Sequence, residues 1–170
     1  MKKFYLLVAA AFCVASASAQ NFGATDKKIT ANIGFGGGYG SPIGISYEQG
    51  VYDLGDDMFI AAGGYFGYSG YSEKYSGYKV NYSNIFIAAM GNWHYAGVNK
   101  LDLYAGIRLG YNVASANFAD NSLNLDPLEA GGTAYSTHIG ANYFLNHNWA
   151  INAEIGYGLA NLNVGVSYKF

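Results

Sequence analysis

Cysteine is all but missing from this chain: the single one, Cys13, lies within the first twenty residues, so the part that follows has no disulfide to hold it. Proline is nearly as rare, with 2 residues, and only 12% of residues are charged. Low charge together with 17% aromatics does not suit a disordered chain. No apolar run reaches the roughly 20 residues that a membrane helix needs. Without Lys2 and Lys3, which belong to the leader described next, 7 basic residues stand against 11 acidic ones, a formal charge of −4. That balance excludes nucleic acid as a partner.

Residues 1–19 read as an export signal. Lys2 and Lys3 give a basic start, residues 4–14 an apolar run, and Ala17-Ser18-Ala19 an A-x-A cleavage site before Gln20. A lipid-modified Cys13 would need a small residue before it, and Phe12 stands there. Residues 20–170 remain as one domain of about 150 residues.

What the domain has in abundance is glycine, 24 in the chain, and tyrosine, 17, arranged with a period of two. Eight runs show it: residues 29–39, 43–51, 58–68, 78–95, 101–113, 133–143, 149–157 and 162–170. In the clearest, Leu101, Leu103, Ala105, Ile107, Leu109, Tyr111 and Val113 oppose Asp102, Tyr104, Gly106, Arg108, Gly110 and Asn112. Residues 58–68 are ambiguous, because aromatics and glycines fall on both parities. In 78–95 the apolar parity switches near Asn84, which predicts either a bulge or a passage out of an apolar medium.

The last run, L-N-V-G-V-S-Y-K-F, places Leu162, Val164, Val166, Tyr168 and Phe170 on one face up to the final residue. An exposed edge strand of that kind invites aggregation, and closing the sheet into a barrel removes the edge. The stretch resembles the C-terminal signature of bacterial outer-membrane barrels, in which a terminal Phe, an aromatic two residues earlier and alternating apolar residues are recognised during assembly. The whole of residues 20–170 resembles the small barrels typified by outer membrane proteins A and X, within the porin-family β-barrel group. The resemblance implies an all-β, eight-stranded, antiparallel, up-and-down transmembrane barrel, monomeric, surrounded by outer-membrane lipid. It further implies engagement of the barrel assembly machinery through Val164, Val166, Tyr168 and Phe170. A soluble lipocalin-type barrel would share the period, but Glu48, Asp102, Arg108, His138 and Glu154 on the opposite parity read as a polar lumen rather than as an outer surface.

Three short polar turns, at 53–57, 97–100 and 145–148, are expected on the side of the termini, and the connections at 40–42, 69–77 and 114–131 on the other, with a tight turn at 158–160. Hairpins centred on Val98 and Asn146 would set Tyr95 opposite Leu101, His94 opposite Asp102, Tyr143 opposite Trp149 and His138 opposite Glu154. Aromatic girdles are expected from Trp93, Tyr95, Tyr143, Trp149, Tyr168 and Phe170 at one interface and Tyr39, Tyr111, Tyr135 and Tyr157 at the other.

Candidate sites follow from the same faces. The glycine-rich stretch from Gly34 to Gly40 lacks the helix and the Lys-Ser or Lys-Thr of a phosphate loop, and reads as lumen-facing strand. Ser136, His138 and Glu154 share a face and are the ingredients of a hydrolase. The lipid A deacylases of outer membranes hold such residues toward lipid at the rim, whereas these point inward, so a lumen hydrogen-bond network is the reading. Asp120, Asn124, Asp126 and Glu129 offer hard oxygen ligands without EF-hand order, which reads as a solvated acidic loop. No cofactor motif is present. Tyr65, Tyr68, Tyr71, Tyr75, Tyr78 and Tyr82, interleaved with Gly and Ser, have the composition of a binding surface, with Tyr71 and Tyr75 its candidate contacts for an extracellular ligand or surface. The expected role is structural or surface-interactive and not enzymatic. A narrow passive pore and a lipid-modifying enzyme are the rivals. Arg108 is expected to lie between Glu154 and Glu48 and so to plug the lumen.

Overall fold

The computed structural model describes residues 21–75, 78–118 and 128–170. Its strands are β1 (Lys27–Phe35), β2 (Ile43–Gly55), β3 (Met58–Tyr75), β4 (Tyr78–Val98), β5 (Leu101–Phe118), β6 (Leu128–Phe144), β7 (Trp149–Tyr157) and β8 (Leu162–Lys169). Each pairs antiparallel with the next, and β1 closes on β8 from Lys28↔Lys169 to Phe35↔Leu162. The result is an eight-stranded up-and-down barrel. The expected signal, residues 1–19, lies outside the described residues.

Alternation sorts the side chains. On β5, Leu103, Ile107, Leu109, Tyr111 and Val113 are exposed, while Asp102, Tyr104 and Arg108 are buried. The ambiguous β3 follows the same rule, with Phe59, Ala61 and Tyr65 buried and Phe66 and Tyr68 exposed. An apolar exterior around a polar interior is the inverse of a water-soluble barrel. Trp93, Tyr143, Trp149, Tyr168 and Phe170 stand on the outer face toward the termini, and Tyr111, Tyr135 and Tyr157 on the outer face toward the far end.

Tyr39 does not join them. β1 ends at Phe35, and Gly36, Gly37 and Gly40 take positive φ of 73°, 80° and 72°, a turn conformation that L side chains rarely adopt. The stretch from Gly34 to Gly40 is therefore mostly loop, not lumen-facing strand. It folds over the far mouth and sets Tyr39 edge-on to Phe86 at 5.0 Å.

The strands differ in length. β1, β7 and β8 have 9, 9 and 8 residues, close to the roughly 9–11 of a membrane-crossing strand, whereas β3 to β6 have 18, 21, 18 and 17. The excess continues past the far end as a four-stranded wall. Ladder pairs run on through Tyr71↔Tyr82, Tyr75↔Tyr78 and Ala116↔Leu128, where connections were expected. The apolar parity of the ring is not kept there, Val80 being buried on the inward parity, but cross-strand pairs persist. Tyr71 and Tyr82 stack at 5.0 Å, and Ser72 Oγ donates to Asn81 at 2.7 Å. The parity switch at Asn84 falls where the wall begins, one pair past the last β2–β3 pair, Ile43↔Tyr68. No bulge occurs there, since β3 and β4 keep one register from Met58↔Tyr95 to Tyr75↔Tyr78.

Both expected hairpin registers are displaced by two residues. Tyr95 faces Leu103, because the ladder is irregular between Tyr95 and Val98 before the turn at Lys100, whose φ is 64°. Tyr143 faces Ile151, because Asn146 Oδ1 accepts the N–H groups of Asn148 and Trp149 at 3.0 and 2.8 Å and folds a wider Asx turn. A slip of two residues leaves every side chain on its face, so alternation does not report it.

Ile107, 60% exposed on the apolar belt, is the position to test the outer face. Ile107→Arg is expected to cost about 2–4 kcal/mol in equilibrium unfolding from lipid vesicles, and Asn117→Arg on the wall less than about 0.5 kcal/mol. Equal costs would refute the facing.

Candidate functional site: the barrel interior

The inner parity of β1, β2, β4, β5, β6 and β7 brings its charged residues into two connected clusters. Nearer the termini, Lys28 Nζ lies 3.0 Å from Glu48 Oε2 and 3.7 Å from Asp102 Oδ2. His94 sits between the same carboxylates, Nδ1 2.8 Å from Asp102 Oδ1 and Nε2 3.1 Å from Glu48 Oε1. Both ring nitrogens face acceptors, an arrangement that the doubly protonated ring satisfies. Asn142 Nδ2 donates to Asp102 Oδ2 at 2.9 Å. Asn152 then joins Asn142 to Tyr104, and Ser167 joins Asn142 to Thr30.

Above it, Arg108 grips Glu154 with both terminal nitrogens, at 2.9 and 2.6 Å. This parallel two-bond geometry is the strongest form of ion pair available to a protein. Tyr104 and Asn163 donate to the same carboxylate at 3.1 and 2.9 Å, and the guanidinium lies 4.8 Å from the centre of the Tyr65 ring. Asn92 links the two levels, donating to Glu48 and accepting from His138 Nε2 at 2.8 Å.

Glu48, Asp102, Arg108, His138 and Glu154 thus lie together in one buried network, but not in the expected order. Arg108 does not reach between Glu154 and Glu48. It is paired with Glu154 alone, and the cation at Glu48 is Lys28. The apolar run starts at Ile29, two residues after the strand itself begins at Lys27, although Lys28 shares the parity of Thr30 and Asn32. His94, Asn92 and Tyr104 were also missed as members. Tyr104 carried a signal, since it occupies the inward parity of the clearest run.

Ser136 and His138 form no catalytic relay. Among the described residues Ser136 Oγ has no hydrogen-bond partner, His138 Nε2 is taken by Asn92, and it stands 3.8 Å from Glu154 Oε2. Asp120, Asn124 and Asp126, and the side chains of Glu129 and Tyr75, lie outside the described residues. Tyr71 is half-buried, stacked on Tyr82 and packed so closely to Gly40 that a methyl group there would stand 3.3 Å from it. Val164, Val166, Tyr168 and Phe170 face outward on the last strand and beyond it.

Aromatic layers bound the network at both ends. Tyr65, Phe86 and Leu159 pack with Tyr39 at the far mouth, and Phe22, Phe59, Ala61, Phe144 and Ala150 at the mouth near the termini. Comparison with solved structures gives the setting for this arrangement. Neisserial surface protein A aligns with a TM-score of 0.55 at 16% identity, over 85% of this chain and 95% of that one. The N-terminal β-barrel domain of Pseudomonas aeruginosa OprF aligns at 0.53 and 18% identity, over 88% and 100%. A major outer membrane protein from Thermus thermophilus aligns at 0.54 and 12% identity, over 85% and 99%. The fold is that of a small outer-membrane β-barrel. No protein-family profile and no curated protein sequence matches the chain.

Glu154→Ala would leave Arg108 buried without its partner. The expected cost is about 3–5 kcal/mol in vesicle unfolding, with a smaller loss for the paired replacement Arg108→Met with Glu154→Gln. A loss below about 1 kcal/mol for Glu154→Ala would show that the interior rehydrates the guanidinium.

Proposed function

We propose that the protein is exported through a cleaved signal at residues 1–19 and spans the bacterial outer membrane as a closed, non-conducting monomer. Its role is structural or surface-interactive, with the wall of β3 to β6 facing the medium. The observation that carries this reading is the filling of the interior. Two bonded clusters cross the lumen between aromatic layers, while four strands continue well beyond the barrel. Even strand number puts both termini on one side, read as the periplasm, and directs the wall outward. Val164, Val166, Tyr168 and Phe170 are the residues proposed to engage the assembly machinery, and outer-membrane lipid surrounds the apolar belt.

Tyr71 and Tyr75 at the end of the wall are the proposed contacts for an extracellular ligand or surface. The cross-strand stack of Tyr71 on Tyr82 supports a rigid aromatic presentation at low entropy cost. The enzyme rival gains nothing from the interior, where the His138 ring nitrogen that faces Glu154 is bonded to Asn92.

Planar-bilayer recording is the test of closure. Wild type is expected to show no steady current; a large steady conductance, unchanged by Arg108→Ala, would move the narrow-pore reading to first place. For the wall, Tyr71→Ser with Tyr75→Ser is expected to reduce binding to cells, matrix or glycans. The variant should keep the shift in gel mobility on boiling that marks an assembled barrel. Unaltered binding in every such assay would return the tyrosines to a purely structural role.

A further inference from the structure

The first described residues, 21–26, precede the barrel strands, whose first pair on β1 is Lys27↔Gln49. With the signal removed as proposed above, this segment begins the chain, and chain ends are poorly ordered unless something ties them down. Here the ties are many and lie on strands all around the mouth. Phe22 is fully buried among Phe59 and Ala61 of β3, Phe144 of β6 and Ala150 of β7. Its ring meets Phe59 edge-on at 5.3 Å and His94 at 5.2 Å, and Lys28 Nζ stands 4.5 Å from its centre. Asn21 Nδ2 donates to the carbonyls of Ala96 and Val98 at 2.5 and 2.8 Å, where β4 ends.

The backbone is held as firmly as the side chains. Lys169 Nζ, on the last strand, donates to the Asn21 carbonyl at 2.9 Å and lies 3.4 Å from Asp26 Oδ2. Asp26 closes a turn on Gly23 through its amide and its carboxylate, at 3.1 and 3.0 Å. Gly50 on β2 is the floor under this turn. Its amide donates to the Asp26 carbonyl at 3.1 Å, and a methyl group there would stand 2.4 Å from Ala24 backbone atoms. Only a residue without a side chain lets the segment pass.

An aromatic anchor in an apolar socket, an amide clamp on two carbonyls and an ammonium on a backbone oxygen are how proteins hold a peptide. We infer that the mouth on the side of the termini is a peptide-binding site, that its ligand is the chain's own segment 21–26, and that the docked segment stoppers the interior from that side. The site recognises a short peptide with an aromatic residue directly after an asparagine, followed by small residues that can lie flat over Gly50. The ladder of the ring starts at Lys27↔Gln49, and the segment adds to it the bond from the Gly50 amide to the Asp26 carbonyl, so residues 21–25 can leave or be replaced while the ring stays closed.

The experiment uses the chain produced at full length, with Cys13→Ser and a reporter, Ala61→Cys, at the base of the socket. A charged thiol reagent is added to the assembled protein in detergent. With Phe22 present the reporter is expected to react slowly; with Phe22→Ser it is expected to react at least 10-fold faster. A synthetic peptide of residues 20–27 added to the Phe22→Ser protein should restore slow labelling and saturate, and the same peptide carrying Phe22→Ser should not. Equal rates in the two proteins, or no protection by the peptide, would overturn the inference. If Phe22→Ser does not assemble, Asn21→Ala removes only the clamp on Ala96 and Val98 and is expected to speed labelling by a smaller factor. Unchanged labelling in that variant would overturn it equally.

Discussion

Closure of the ring is the constraint from which the rest of the structure follows. Once β1 pairs with β8, the sheet has no edge along the shared length, and eight strands leave an interior about wide enough for side chains and little more. Each large inward residue then needs a small one across from it. The Tyr65 ring lies over Gly44 and Gly67, and the Tyr104 ring over Gly140, so closely that a methyl group at any of the three would stand within 2.2 to 2.8 Å of ring atoms. Gly106 leaves room in the same way for Asn92. The glycine content that looks like flexibility in the sequence is, at these positions, a matter of radius.

The same narrowness settles the electrostatics. A buried charge is costly unless paired, and here each cation of the two clusters finds an anion within the ring: Arg108 with Glu154, and Lys28 and His94 with Glu48 and Asp102. Counting His94 as charged, the two clusters carry three positive and three negative groups. Neutral side chains take up the remaining lone pairs, Asn142 and Asn92 on the lower carboxylates and Tyr104 and Asn163 on Glu154. The partnerships depend on register as well as on composition. Tyr104, not Asp102, stands directly opposite His94, and Asp102 reaches the ring from two residues along β5.

The sequence carried the parts of this fold that depend on period and withheld those that depend on register and on loops. Alternation in 101–113 and 162–170 is enough to sort outside from inside, because a lipid-facing row tolerates no charge. It is blind to slips of two, so the partner of Glu48 could not be read from it. The apolar run starts at Ile29, and nothing in the pattern rewards the charge one step earlier, at Lys28. Tyr39 had the parity of an outward residue only on the assumption of a continuous strand, which the positive-φ glycines break. Phe22 left no signal at all: one aromatic residue in a short polar segment has no period, and its burial is fixed by tertiary contacts alone.

Sealing at both ends changes what the polar network is worth. Aromatic layers with Phe22 and Phe59 at one mouth and Tyr65 and Phe86 at the other keep the ion pairs in a medium of low polarity, where each is strong and each broken one is expensive. Along the path through Asn92 and Glu154 the carboxylates are bonded to side chains of the ring itself, and the interior atoms left over there are Arg108 Nε, Ser136 Oγ and His138 Nδ1. The far wall is built on different terms. Lys74 stands directly opposite Lys79 at its end, a like-charge pair that weakens a sheet, and among the described residues the β2–β3 ladder stops at Ile43↔Tyr68. A lysine on such an edge discourages indiscriminate strand pairing. Stability is concentrated in the ring and relaxed in the wall, and the proposed surface role places recognition in the part whose side chains are not already consumed by holding the barrel shut.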